Sequence, residues 1–171
     1  NQFYKMVDKK GYEEAILYME ETYLLHWAEH WEDVMLAYDY EFNSIDGDLI
    51  KLSQYRGKVI VVVNVASRCG YTPQYEDLQT LWSEYKSKDL VVLGIPTNNF
   101  RQEPGNNKEI KNFCETNFGI TFPMTEKISV IGNNSHPFYK WARKDYGIGA
   151  IPKWNFHKII IGKDGKVAGT F

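Results

Sequence analysis

The chain has 171 residues and a mass of 20.0 kDa, and 43% of its residues are hydrophobic, so it can form one sizeable core. A formal net charge of −2 excludes a broad basic field for nucleic acid, and no apolar run reaches the roughly 20 residues of a membrane helix. Two cysteines, Cys69 and Cys114, are too few for a secreted scaffold held by disulfides. We therefore expect a cytoplasmic protein that acts on a small molecule.

The first element in chain order is a predicted amphipathic helix from about Lys9 to Val34. Apolar side chains recur there every three or four residues, at Tyr12, Ile16, Met19, Tyr23, Trp27, Trp31 and Val34. His26 and His30 fit the H-x-x-E-H pattern of some zinc peptidases, but no third ligand is recognisable, so we expect no metal site. Residues 1–37 are thus predicted to form a helical extension.

From residue 38 onward the pattern changes to short strands that alternate with helices, which predicts one α/β domain over residues 38–171. The predicted elements are a hairpin of Tyr40–Ile45 and Leu49–Leu52, a strand at Val59–Val65, a helix at Gln74–Lys86, a strand at Leu90–Pro96, a helix at Asn107–Phe118, an extended stretch at Thr125–Val130, a helix beginning near His136, and a hairpin of Phe156–Ile161 and Lys166–Thr170. The first strand, helix and strand after the hairpin predict a right-handed parallel crossover.

Cys69 follows the buried Val59–Val65 strand and precedes a predicted helix. The positive end of a helix dipole and the neighbouring Arg68 both favour the thiolate, which is the nucleophilic form of cysteine. Because Thr72 stands three residues later, the Cys-x-x-Cys pair of dithiol oxidoreductases is absent. Single-thiol chemistry remains, in which a sulfenic acid must be resolved by another thiol. Position alone also fits a half-buried structural cysteine.

Four blocks of sequence carry a resemblance to a known family. They are Asn64–Pro73, Pro96–Gly105, Phe113-Cys114 with Gly119–Pro123, and Pro152–Lys158. In content and order they resemble the blocks that identify glutathione peroxidases, and the resemblance runs from about Tyr38 to Phe171. It implies a thioredoxin-like fold, with a central mixed β-sheet flanked by helices, and a peroxidase that reduces hydrogen peroxide or organic hydroperoxides without a bound cofactor.

The resemblance also implies roles for individual residues. It places the peroxidatic residue at Cys69, and it matches Trp154 and Asn155 to two of the three polar partners that the family sets around that residue. The third partner, a glutamine in the family, falls at Asn99 in a loop that is one residue shorter than usual. Gln102 in the same loop is a second candidate. Without the resemblance, core packing for Trp154 and a turn role for Asn155 would be the favoured interpretations.

Cys114 matches the resolving cysteine of the thioredoxin-dependent branch of the family, which implies an intramolecular disulfide with Cys69 that a thioredoxin-like protein or glutathione reduces. As a residue type it also fits a small buried side chain. We expect the two sulfurs to start too far apart to bond, so that the helix of Cys114 must open. The stretch between Trp141 and Ile151 lacks the insertion of tetrameric members, which favours a monomer or dimer.

Some alternatives stay open from the sequence. A non-catalytic redox sensor would form the same Cys69–Cys114 bond and pass it to a partner, and a thiol-disulfide oxidoreductase would exchange disulfides without consuming peroxide. His136 and His157 are expected to be structural. The family's usual terminal helix does not follow Phe171 in this sequence, and we expect the N-terminal extension to cover part of the sheet in its place.

Overall fold

The computed structural model describes residues 35–171, and the predicted Lys9–Val34 helix with its His26 and His30 pattern lies outside that range. The elements are β1 (Glu41–Asn43), β2 (Leu49–Lys51), β3 (Val59–Val65), α1 (Gln74–Tyr85), β4 (Leu90–Pro96), α2 (Asn107–Phe118), α3 (Pro137–Tyr146), β5 (Lys158–Ile161) and β6 (Val167–Thr170). Short 3-10 helices occur at Ala37–Asp39, Leu52–Tyr55 and Ile148–Ala150. Both predicted hairpins and the predicted parallel crossover are therefore confirmed.

The central sheet has the strand order β4-β3-β5-β6. β3 and β4 are parallel, with Val59 opposite Leu90, whereas β5 is antiparallel to both β3 and β6. A second sheet consists of the antiparallel pair β1 and β2. The larger sheet is thus mixed, as the family resemblance implied.

Alternate residues of β3 point into two hydrophobic clusters, one on each face of the sheet, because successive strand side chains point to opposite sides. Ile60 and Val62 belong to the cluster that includes α3, and Val61 and Val63 belong to the cluster that includes α1 and α2. The unbroken run of β-branched residues in β3 therefore reflects burial on both faces.

The stretch Thr125–Val130, predicted to be extended, is not a strand. Its strand-like pairing is confined to an isolated bridge between Ser44 and Thr125, next to a second bridge between Gly94 and Met124. Beyond them the Val130 N–H donates to the side chain of Asn99 rather than to a strand. Single backbone bonds, such as that from the Ile128 N–H to the Pro96 carbonyl, and the side-chain bonds at Lys127 and Val130 thus take the place of a continuous ladder at this edge of β4.

The sheet brings three loops to one edge. The loop with Cys69 follows β3 and the loop of Thr97–Gly105 follows β4, and parallel strands end at the same edge. The segment of Pro152–His157 reaches that edge too, because β5 runs antiparallel to β3 and begins there. Within residues 35–171, no helix has the length and apolar character that crossing a membrane requires.

Candidate functional site

Cys69 lies in a turn between β3 and α1. Its N–H donates to Thr72 Oγ1 (3.0 Å), which donates in turn to the Ala66 carbonyl (2.8 Å). The Tyr71 N–H donates to the Cys69 sulfur at 3.4 Å, and the Cys69 side chain is 8% exposed. Because α1 begins at Gln74, the thiol precedes the first helical turn instead of lying in it. The turn gives the sulfur a fixed backbone donor and a small opening to solvent.

The Cys69 turn is joined to the loop after β4 by two hydrogen bonds. The Arg68 N–H donates to the Gln102 carbonyl at 3.0 Å, and Ser67 Oγ donates to the Glu103 carboxylate at 2.9 Å. Glu103 is buried, and burial raises the pKa of its carboxyl, while Ser67, Lys127 and Arg68 act in the opposite direction. A buried carboxylate at this position thus holds together the two loops that follow the parallel strands.

The loop after β4 folds around Asn98. Its carbonyl accepts the Arg101 N–H (2.9 Å), and its side-chain oxygen accepts the Glu103 N–H (3.0 Å). Arg101 has a φ of 60°, a left-handed conformation that costs a non-glycine residue on the order of 1 kcal/mol. Lys127 Nζ donates to the Gly105 and Glu103 carbonyls and closes the other end of the loop.

Asn64 fixes the segment with Trp154 and Asn155 to the end of β3. Its side-chain amide donates to the Trp154 carbonyl (2.9 Å), and its own carbonyl accepts the Phe156 N–H (2.6 Å). Phe156 has a φ of 65°, so a second left-handed residue lies next to the site. The Trp154 side chain is 45% exposed and contacts Phe100, with ring centroids 5.3 Å apart. The segment therefore offers an open indole beside a rigid backbone.

Gln102 and Asn155 form a direct side-chain pair. Asn155 Nδ2 donates to Gln102 Oε1 at 2.7 Å, and the buried Asn155 Oδ1 has no hydrogen-bond partner among the described residues. The structure thus brings Gln102 together with Asn155 by its side chain, and with the Cys69 turn by its backbone.

Asn99 turns to a different part of the chain. Its side-chain oxygen accepts the Val130 N–H (2.7 Å) and the Thr97 hydroxyl (2.8 Å), and its Nδ2 donates to Ser129 Oγ (3.2 Å). The Asn99 amide is therefore occupied in fastening the loop after β4 to the 129–130 segment.

Cys114 lies on the buried face of α2, and both it and Cys69 are free thiols. It lines a cavity of about 500 Å³ between α2 and the loop that joins β1 to β2. Lys111 and Asp46, which pair at 2.5 Å, line the same cavity. Cys114 itself is 1% exposed, so it borders this cavity without opening to solvent.

Burial raises the pKa of Cys114 to about 11. The Tyr75 hydroxyl faces this thiol and acts against the shift, although the two do not meet hydrogen-bond geometry, and the carboxylates of Glu103 and Glu115 add to it. In the folded protein at neutral pH, Cys114 is therefore a protonated and weak nucleophile.

The two described histidines that the sequence expects to be structural lie in packed positions. His136 caps the start of α3 by accepting the Phe138 N–H, stacks on Phe42 at 4.2 Å, and has its pKa lowered by burial. Burial also lowers the pKa of His157. Within residues 35–171 no group of three histidine, cysteine, aspartate or glutamate side chains is arranged to hold a metal ion.

Sequence reasoning missed two residues that position the site, Asn64 and Glu103. A lone asparagine in the otherwise apolar strand Val59–Val65 could have indicated a buried partner for another segment. Nothing in the local sequence distinguishes Glu103 from an exposed loop glutamate, since its burial depends on the neighbouring Ser67 loop.

Comparisons with known proteins agree with the geometry. The family model described as "Glutathione peroxidase" matches residues 37–143. A glutathione peroxidase of Lactococcus lactis is 43% identical over 80% of this chain and 89% of its own. A hydroperoxy fatty acid reductase of Synechocystis is 45% identical over 78% of this chain and 85% of its own. A glutathione peroxidase-like peroxiredoxin of Saccharomyces cerevisiae is 42% identical over 78% of this chain and 85% of its own.

Solved structures extend the comparison. The crystal structure of T. cruzi GPX1 has a TM-score of 0.63 at 34% identity, covering 80% of this chain and 86% of that one. A thiol:disulfide interchange protein of the thioredoxin family from Chlorobium tepidum has a TM-score of 0.59 at 19% identity, over 77% of this chain and 81% of that one, and shares the fold. The fold is thus thioredoxin-like. The chain belongs to the glutathione peroxidase family, and it is a thiol peroxidase that uses a peroxide substrate and a thiol reductant.

Proposed function

We propose that Cys69 is the peroxidatic residue, that Cys114 resolves its oxidised form, and that a thioredoxin-like protein completes the cycle. The Cys69 thiolate attacks the terminal oxygen of hydrogen peroxide or an organic hydroperoxide, so that water or an alcohol leaves and a sulfenic acid forms. The Cys114 thiol displaces the sulfenic oxygen as water and forms a disulfide. A dithiol reductant then returns both cysteines to thiols by exchange.

The observation that carries the proposal is the hydrogen-bonded junction at the end of β3. Cys69 is the cysteine with a backbone donor on its sulfur and a loop of polar side chains fastened beside it. Cys114 is instead buried, and because burial raises the pKa of its thiol, it stays protonated. A nucleophile that acts first on a peroxide has to react as a thiolate, so the raised pKa and the 1% exposure of Cys114 count against that residue, whereas Cys69 is 8% exposed.

Within this proposal Gln102, rather than Asn99, is the third polar partner with Trp154 and Asn155. Gln102 is hydrogen-bonded to the residue before Cys69 and to the Asn155 side chain. The side-chain amide of Asn99 is instead hydrogen-bonded to Thr97 and to the 129–130 segment. Preorganised amide donors lower the barrier where charge develops on a peroxide oxygen, because they need not reorient during the reaction.

We expect resolution by Cys114 to need an opening of α2, because its thiol is 1% exposed within that helix. Asn106 and Glu109 form a capping box at its start, and Gly119 ends it in the left-handed conformation with a φ of 57°. We expect these twelve residues to unwind as a unit, which would release Ile110 and Cys114 from the hydrophobic cluster that they share with β3. The cavity beside Cys114 gives the released thiol a path outward.

A thioredoxin-like reductant is favoured because an intramolecular disulfide is a substrate for a dithiol protein, whereas direct reduction of the sulfenic acid by glutathione would give Cys114 no role. The yeast relative carries the name peroxiredoxin, and the Synechocystis relative is named for fatty acid hydroperoxides, which supports organic hydroperoxides among the substrates. A monomer or dimer and a cytoplasmic location stay predictions.

Steady-state peroxide consumption tests the cycle with thioredoxin plus its reductase, or with glutathione, in the parent and in two variants. We expect Cys69→Ser to abolish consumption, since it removes the nucleophile. Cys114→Ser should keep the first oxidation but lose thioredoxin-driven turnover. Full turnover in Cys69→Ser would contradict the assignment, and one stoichiometric oxidation without turnover in the parent would instead support a redox sensor.

A matched pair of loop variants tests the role of Gln102. Gln102→Ala should lower kcat/KM for peroxide by roughly ten- to a hundredfold, because it removes the side chain that accepts the Asn155 amide and leaves that amide without a fixed orientation. Asn99→Ala should leave kcat/KM nearly unchanged but lower the free energy of unfolding by about 1–3 kcal/mol, because the Val130 N–H loses its acceptor. Stopped-flow oxidation and urea unfolding measure the two effects. The reverse pattern would assign the role to Asn99.

The raised pKa of Cys114 predicts a pH dependence of stability. The folded protein holds this proton more strongly than the unfolded chain, whose cysteine has a pKa near 9.0, so stability is lost as pH rises from about 9 towards 11. Urea unfolding of the reduced protein at pH 7.5, 9 and 10 should therefore show a steeper loss in the parent than in Cys114→Ser, which cannot titrate. Equal slopes would show that Cys114 does not resist ionisation.

A further inference from the structure

A second cavity lies on the opposite side of the sheet from α1 and α2. It has a volume of about 380 Å³ and is lined by α3, by the 130–135 segment and by Ile151 and Pro152. None of the residues proposed for the peroxide chemistry lines it. Its size suits an organic molecule of moderate length rather than a peroxide alone.

Tyr139 is one of the residues that line this cavity, and its hydroxyl is unpaired among the residues that the structure describes. The Tyr139 side chain is 5% exposed, and its hydroxyl has no hydrogen-bond partner within residues 35–171. A buried hydroxyl without a partner costs about 1–3 kcal/mol, which makes it a strong donor for any acceptor that enters. Burial raises the pKa of Tyr139, so the hydroxyl keeps its proton.

The charge of the cavity is one-sided. Lys140 and Arg143, one and four residues along α3 from Tyr139, line it, and neither forms an ion pair within the described part of the chain. None of the described residues in the lining is acidic. Two unpaired cations and a buried donor are the groups that recognise a carboxylate or another oxyanion.

The remaining wall is apolar. Val130, Ile131, Ile151 and Pro152 form it, and Val130 is fully packed while the isoleucines are partly exposed. A small inorganic anion would leave this surface uncovered, whereas an alkyl chain would remove it from water at about 25 cal/mol per Å².

We propose that this cavity is a binding site for an amphipathic monocarboxylate, whose carboxylate pairs with Arg143 and Lys140 and accepts the Tyr139 hydroxyl, while its alkyl chain covers the apolar wall. The site is independent of the peroxide chemistry at Cys69. The proposal is therefore tested by ligand binding alone, and a wrong assignment of the peroxidatic residue would not affect it.

Calorimetric titration of the full reduced chain with octanoate tests the proposal, with inorganic phosphate and octanol as further probes. Octanoate should bind one site, and both phosphate and octanol should bind at least tenfold more weakly. Tyr139→Phe keeps the ring and should weaken octanoate binding about fivefold, and Arg143→Gln about tenfold.

Lys163→Gln is the matched control, because it removes an exposed lysine outside the cavity and should leave octanoate affinity unchanged. Thermal melting checks that each variant is folded. Absence of octanoate binding, equal affinity for phosphate, or an unchanged affinity in Arg143→Gln would overturn the assignment. Amide chemical shifts of Val130 and Ile151 that move with octanoate in the parent, and not in Arg143→Gln, would support it.

Discussion

The site depends on the hydrogen bonds that join the loops at the ends of β3 and β4. Two hydrogen bonds hold these loops together: the Arg68 N–H donates to the Gln102 carbonyl, and the Ser67 hydroxyl donates to the Glu103 carboxylate. The Asn155 amide donates to the Gln102 side chain and so joins the 152–157 segment to the loop after β4. A parallel strand pair fixes where these loops start, and the hydrogen bonds between them bring the Gln102–Asn155 pair to the loop that carries Cys69.

This junction has an energetic cost that the two cores offset. Arg101 and Phe156, each adjacent to an amide of the Gln102–Asn155 pair, adopt left-handed conformations, and Glu103 is a carboxyl whose pKa burial raises. Each such feature costs on the order of 1 kcal/mol or more, so the surrounding packing must hold them. Strain at these positions fits a site in which amides are fixed before substrate arrives.

Much of the fold follows from patterns that the sequence displays. The β-branched run of β3 and the capped, Gly-ended helix α2 were predictable because local propensity and burial agree there. The irregular course of Thr125–Val130 was not, since its Lys127 and Val130 N–H groups donate to the side chains of Asn107 and Asn99, which lie far away in the sequence. The choice between Asn99 and Gln102, the burial of Glu103 and the unpaired Tyr139 hydroxyl depend on contacts between distant segments, which no local pattern encodes.

Mass-spectrometric mapping of the two cysteines after one equivalent of peroxide tests the central claim most directly. In Cys114→Ser, a sulfenic-acid trap should label Cys69, and in the parent the same treatment should yield a disulfide between Cys69 and Cys114. A trapped sulfenic acid on Cys114 while Cys69 stays reduced would contradict the claim that the loop junction prepares Cys69 for attack.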